Sequence, residues 1–153
     1  MTTRAAIDGF LACRRLAVVG VSRSNRDFTR LLFREFVKRG YDVVPVNPGV
    51  EEVEGRRCYP RVSAIAPGVE GALILTPSGA SESVVRDCAA SGVPRVWLYR
   101  AVGKGAVSPA AVEVCREKGI ALAEGCPFMF FPTPGFPHNL HGLFLKLTGS
   151  FPK

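Results

Sequence analysis

Along the chain, short and nearly unbroken apolar runs alternate with longer segments in which apolar positions recur every three or four residues. Residues 16–20, 41–46, 71–76, 93–99 and 120–123 form the first class. Runs this short and continuous read as strands covered on both faces, because a strand with one wet face alternates apolar with polar. Three of them follow a glycine, in Lys38-Arg39-Gly40, Ser91-Gly92 and Lys118-Gly119. Glycine takes the left-handed conformation that ends a helix at little steric cost, so each marks a helix giving way to a strand.

The segments between the runs carry helical periodicity. Phe28, Leu31, Leu32, Phe36 and Val37 line one broad stripe, and Val84, Val85, Cys88 and Ala89 line another. Ser108 followed by Pro109 has the chemistry of an N-cap and a first helical turn. Residues 4–13 predict an opening helix with Ile7, Phe10 and Leu11 turned inward. The alternation predicts an α/β fold, a Rossmann-like doubly wound parallel sheet of five strands with right-handed crossovers and strand order 3-2-1-4-5. Residues 47–60, with Pro48, Gly49 and Gly55, make a long connection where a helix is expected, and such connections often carry function.

The pattern changes at residue 127. Five of the twelve prolines and the run Phe128-Met129-Phe130-Phe131 fall in residues 127–153. Leu140, Leu143, Phe144 and Leu147 then recur at i, i+3, i+4 and i+7, which predicts a short amphipathic helix. Residues 1–126 are expected to form the Rossmann-like domain, and 127–153 a tail wrapping it, whose helix docks on the sheet or makes a homodimer.

At 153 residues and 47% hydrophobic content the chain fits one domain with a substantial core. Its apolar runs fall far short of the ~20 residues that span a bilayer, and residues 1–10 carry Arg4 and Asp8 instead of an apolar signal core. A cytoplasmic protein that does not cross a membrane is the expectation. Five scattered cysteines with no C-x-x-C pair predict free thiols in a reducing compartment. Twenty Lys and Arg against thirteen Asp and Glu, a net charge of +7, suit an anionic partner.

Candidate chemistry starts in the loop after the first strand, Val21-Ser22-Arg23-Ser24-Asn25-Arg26, which precedes a helix. A helix N-terminus offers unpaired N–H groups and a positive dipole end to phosphate. Ser22, Ser24 and Asn25 can donate or cap, and Arg23 and Arg26 can neutralise a pyrophosphate. The dinucleotide fingerprint G-x-G-x-x-G is absent, because Ser22 and Asn25 stand where its later glycines belong. The second strand ends in Asn47, where an NAD enzyme usually supplies an acid.

Taken in order, these residues resemble the small CoA-binding proteins, whose fold is similar to the CoA-binding domain of the succinyl-CoA synthetase alpha subunit. The resemblance runs from Ala17-Val18-Val19-Gly20-Val21-Ser22 through residues 40–48 to Gly55-Arg56-Arg57-Cys58-Tyr59-Pro60, and resumes at Thr76-Pro77, Val96-Trp97-Leu98 and Gly125-Cys126-Pro127. It implies coenzyme A cradled by the first loop (Gly20, Val21, Ser22, Arg23, Asn25 and Arg26), by Asn47-Pro48, by Thr76-Pro77-Ser78 and by Leu98-Tyr99-Arg100. Arg23, Arg26, Arg56 and Arg100 are expected near the same end of the sheet, to meet the pyrophosphate and 3′-phosphate. The sequence departs from the family pattern after Leu98, where Tyr99-Arg100-Ala101-Val102 delays Gly103.

Other constellations are weaker. Cys126 reads as a buried inert thiol, with a mixed disulfide to the pantetheine thiol as the sharper alternative. His138 and His141 are too thin a set for a metal site and read as polar capping. Arg56-Arg57 with Tyr59 and Arg61 is explained by a cofactor phosphate at least as well as by nucleic acid, which is not the expected partner. Neither a G-x-S-x-G elbow nor a P-loop is present. The sequence therefore predicts a protein that binds coenzyme A or an acyl-CoA as a non-catalytic carrier, sensor or regulator. An NAD(P)-binding redox enzyme or sensor is the alternative, and an interaction module with a vestigial pocket is a third reading.

Overall fold

A computed structural model describes residues 2–131. Helix α1 (Arg4–Leu11) leads into β1 (Arg15–Val19), α2 (Phe28–Lys38) and β2 (Asp42–Val46). A small hairpin of β3 (Glu52–Val53) and β4 (Arg56–Arg57) and a 3-10 turn (Val62–Ala64) follow. The chain then alternates β5 (Gly71–Ile74), α3 (Ser78–Ala90), β6 (Arg95–Tyr99), α4 (Pro109–Lys118) and β7 (Ala121–Gly125), and closes with a 3-10 turn (Pro127–Met129). No helix among the described residues is long and apolar enough to cross a membrane.

The five main strands form one parallel sheet in the order β2-β1-β5-β6-β7. Counted over those strands alone the order is 2-1-3-4-5, which corrects the expected 3-2-1-4-5. The reason lies in the segment after β2. Tyr59 pairs with the outer edge of β2, donating to the Pro45 carbonyl at 3.0 Å and accepting from Asn47 N–H at 2.9 Å. That edge is occupied, so the chain passes the sheet through the Val62–Ala64 turn and lays β5 on the other side of β1, with Leu16 opposite Gly71 and Val19 opposite Ile74.

Two apolar layers cover the sheet. On one face Ile7 and Phe10 of α1 and Leu32, Phe33 and Phe36 of α2 pack over Leu16, Val18, Val43, Leu73 and Trp97. On the other Val85 and Cys88 of α3 and Ala111, Val114 and Cys115 of α4 pack over Ala17, Val19, Ile74, Val96 and Leu98. Each large apolar side chain fully buried in this way stabilises the fold by about 1.5–3 kcal/mol. Trp97 stacks edge-on between Phe10 and Phe130, at 5.3 and 5.6 Å, and donates its indole N–H to the Gly125 carbonyl at 3.0 Å. Phe130 and Phe131 are buried on this same face; the tail beyond, with its amphipathic pattern, both histidines and the expected dimer contact, lies outside the described residues.

Local signals act where expected. Gly40, Gly92 and Gly119 end their helices at φ of +93°, +74° and +67°. Ser108 caps α4 by accepting from Ala111 N–H, and Pro109 opens it. The α2 stripe is rotated from the predicted one. Phe28 and Leu31 are exposed, while Arg30 and Phe33 turn inward, Arg30 toward the partners described below.

Candidate functional site

The strand order determines where a ligand can sit. Neighbouring strands β1 and β5 send their helices to opposite faces, so a crevice opens beyond their carboxyl ends, as at the switch point of other doubly wound sheets. A cleft of about 550 Å³ lies there. Val19, Gly20 and Val46 form its floor; Asn47, Pro48, Pro60, Arg61 and Val62 form one wall; Thr76 and the α3 residues Ala80, Ser83, Val84 and Asp87 form the other. Gly20 is required by crowding as well as by its φ of +95°, since a Cβ there would stand 3.2 Å from the backbone of Leu75 and Thr76.

The loops around the cleft are tied to each other. Asn47 donates its amide N–H to the Val21 carbonyl at 2.8 Å and accepts from Gly49 N–H at 2.9 Å, joining the loop after β1 to the loop after β2. Arg23 donates to the Gly49 carbonyl across the same junction. Arg30, nine-tenths buried, donates to the carbonyls of Ser22 and Arg23 at 3.1 and 3.3 Å and to Glu54 at 2.9 Å. Arg34 donates to Glu54 at 2.9 Å and to the Asn25 carbonyl at 3.1 Å. Burial works to raise the Glu54 pKa, but the guanidinium groups of Arg34 and Arg30 outweigh it and hold the carboxyl below its ordinary value.

The two helix N-termini that flank the crevice, those of α2 and α3, differ. Asp27 caps α2, accepting from Thr29 N–H at 2.8 Å, and hydrogen bonds from the Thr29 hydroxyl and N–H lower its pKa. That carboxylate already serves the dipole end expected to receive phosphate. At α3 the N-cap is Pro77, which supplies no capping side chain, and the first turn holds no acidic residue. The α3 end is the one left for an anion.

Of the sequence-predicted residues, the structure gathers Gly20, Asn47, Pro48 and Thr76 into the cleft lining. Ser22, Arg23, Asn25 and Arg26 form the neighbouring loop, and Pro77 and Ser78 stand at the start of α3. Val21 and Leu98 have no exposed surface and belong to the core, one on each face. Tyr99 packs on Phe28 at 5.3 Å; burial first, then Cys126 beside it, pushes its hydroxyl up to about 12. Arg100 is exposed beyond the end of β6. Arg56 does not join the others: it lies in β4, donating to the Val43 carbonyl at 3.2 Å, with Asp42 3.7 Å away near the amino end of β2.

Arg61, read in the sequence alongside a cofactor phosphate, and Pro60, part of the resemblance, also line the cleft; sequence reasoning missed Val62 and the face of α3. Ala80, Ser83, Val84 and Asp87 fall at i, i+3, i+4 and i+7, so a second helical stripe beside the buried one was there to be read. All five cysteines are free and buried, and burial raises their pKa, to about 12 for Cys88 and about 11 for Cys115. Among the described residues no cluster of His, Cys, Asp or Glu is arranged to hold a metal.

Sheet order, crevice and paired loops define a Rossmann-like domain with a cleft at its switch point. A family model described as CoA binding domain matches residues 14–132, and the chain belongs to that family. It is 30% identical over 96 residues to the alpha subunit of the ADP-forming acetate–CoA ligase II of Pyrococcus furiosus, matching over 62% of this chain and 21% of that subunit. The chain thus spans about a fifth of that relative. A hypothetical protein from Pyrococcus horikoshii superposes with a TM-score of 0.74 at 25% identity, covering 82% of this chain and 86% of that one. A dinucleotide-forming acetyl-coenzyme A synthetase of Ca. Korarchaeum cryptofilum superposes with a TM-score of 0.63 at 28% identity, over 71% of this chain and 25% of that one.

Proposed function

We propose that the switch-point cleft binds coenzyme A, free or acylated, and that the protein works as a non-catalytic carrier, sensor or regulator. One observation carries the reading: a proline-walled apolar cleft opens beside the uncapped amino end of α3 in a chain of the CoA-binding domain family. A flat base and a pantetheine arm suit the walls, and a pyrophosphate suits the helix end and the Arg23–Arg26 loop. The hydroxyls and thiols nearby support binding over catalysis. Ser83 donates to the Ala80 carbonyl, Thr76 shares its hydrogen bond with Ser81, and no cysteine lines the cleft. Asp87 is the one carboxylate among the described residues of the lining, and it accepts from Ser63 N–H at 3.1 Å. Asn47 argues against NAD(P), because an amide tied to the Val21 carbonyl and Gly49 N–H stands where an NAD enzyme usually supplies an acid to the ribose hydroxyls.

The test is a thermal-shift titration with CoA, acetyl-CoA, NAD and NADP, since a ligand bound only by the native state stabilises it. At a hundred times its Kd a ligand contributes about 2.7 kcal/mol, which for a chain of this size is a rise of about 5–10 °C. That rise is expected with CoA, and Arg23→Glu should reduce it while leaving the unliganded Tm close to the parent's. A shift with NAD or NADP alone would overturn the reading.

A further inference from the structure

We propose that Arg61 is the specificity-determining residue of the cleft, reading a phosphate monoester on the ribose of the bound nucleotide and so preferring CoA to dephospho-CoA. The inference rests on the coenzyme A reading above.

Among the described residues that line the cleft, Arg61 is the one cation. Of the other arginines at this end, Arg30 and Arg34 are held by Glu54, Arg23 gives one N–H of its fork to the Gly49 carbonyl, and Arg26 and Arg100 are exposed but lie outside the cleft lining. Among the described residues the Arg61 side chain has no such partner; it is exposed, with its guanidinium fork free for an anion. Its backbone, by contrast, is fixed. Arg61 is extended, at φ −159° and ψ 162°, and its carbonyl accepts from Ala64 N–H at 3.2 Å. The next residue, Val62, is buried, and Ser63 N–H is held by Asp87. The cation is therefore presented from a built rim beside apolar Pro60 and Val62. Asp87, the opposing charge in the lining, selects against a phosphate laid along α3 and leaves the Arg61 rim as the place for one. A dianionic monoester with three acceptor oxygens is the group that a guanidinium fork binds best.

Isothermal titration of the parent, Arg61→Gln and Arg61→Lys with CoA and dephospho-CoA separates the possibilities. The parent should prefer CoA by about ten- to a hundredfold, the scale of charge-assisted hydrogen bonds. Arg61→Gln should bring the ratio near one by weakening CoA alone, and Arg61→Lys should keep part of it. A ratio unchanged in Arg61→Gln, an equal loss for both ligands, or a parent that binds the two alike would overturn the assignment while leaving the coenzyme A reading standing. A parent that binds neither would overturn that reading, and this inference with it.

Discussion

Glu54 fastens the β3–β4 hairpin to the rest of the protein, and its removal has a calculable effect. Its oxygens take N–H groups from Arg30 and Arg34, each at 2.9 Å, and Arg30 has only a tenth of its side chain exposed. In Glu54→Gln the size is kept and the charge lost, which leaves the Arg30 guanidinium buried without its counter-charge. Breaking a fully buried pair from one side costs about 3–5 kcal/mol. The Glu54 side chain is 31% exposed, so water recovers part of the loss and the expected cost is about 2 kcal/mol. At roughly 2–4 °C per kcal/mol, Tm should fall by about 4–8 °C at pH 7. Since the folded state holds this carboxyl below its ordinary value of about 4.3, the unfolded chain binds the proton first as the pH falls. The contribution is present above about pH 4.3 and is lost as the pH drops through the folded-state value, so the gap between parent and variant should close toward pH 3. Urea unfolding at pH 7, 5, 4 and 3 measures it. A gap below about 0.5 kcal/mol at pH 7, or one that stays constant to pH 3, would refute the reasoning.

Two further outcomes follow from backbone contacts. Asn47→Ala removes the bonds to the Val21 carbonyl and Gly49 N–H; it should cost about 1–2 kcal/mol in urea unfolding and weaken CoA in the thermal-shift assay, because the two loops separate. Gly105→Ala would place a Cβ 2.3 Å from the Tyr99 carbonyl oxygen at a φ of +55°, whereas Gly103 has open space around it at φ +72°. Gly105→Ala should therefore lower Tm well beyond Gly103→Ala, whose cost is the left-handed conformation alone, about 1 kcal/mol.

The elements were legible in the sequence because their causes are local. Unbroken apolar runs gave the strands, glycines at φ near +70° to +90° marked the helix ends, and Ser108-Pro109 placed the start of α4. Strand order was not legible, because it depends on Tyr59 occupying the edge of β2, a pairing with no signature in the short run around it. The rotation of α2 was hidden for a related reason. Arg30 reads as a surface residue until Glu54, twenty-four positions later, is folded against it. Half of the cleft lay in the loops that the resemblance pointed to, and Arg61 in a basic cluster read as serving a cofactor phosphate; Val62 and the outer stripe of α3 had no local feature to separate them from core or solvated surface.

The Tyr59 pairing also bears on how the protein meets other chains. An edge strand with free N–H and C=O groups is a template for edge-to-edge association. The carboxyl half of β2 offers no such template: Pro45 has no N–H, its carbonyl is taken by Tyr59, and Asn47 N–H is already donated to the Tyr59 carbonyl. The same short segment that diverts the third strand thereby seals this margin of the sheet against aggregation, at the margin where the cleft wall begins.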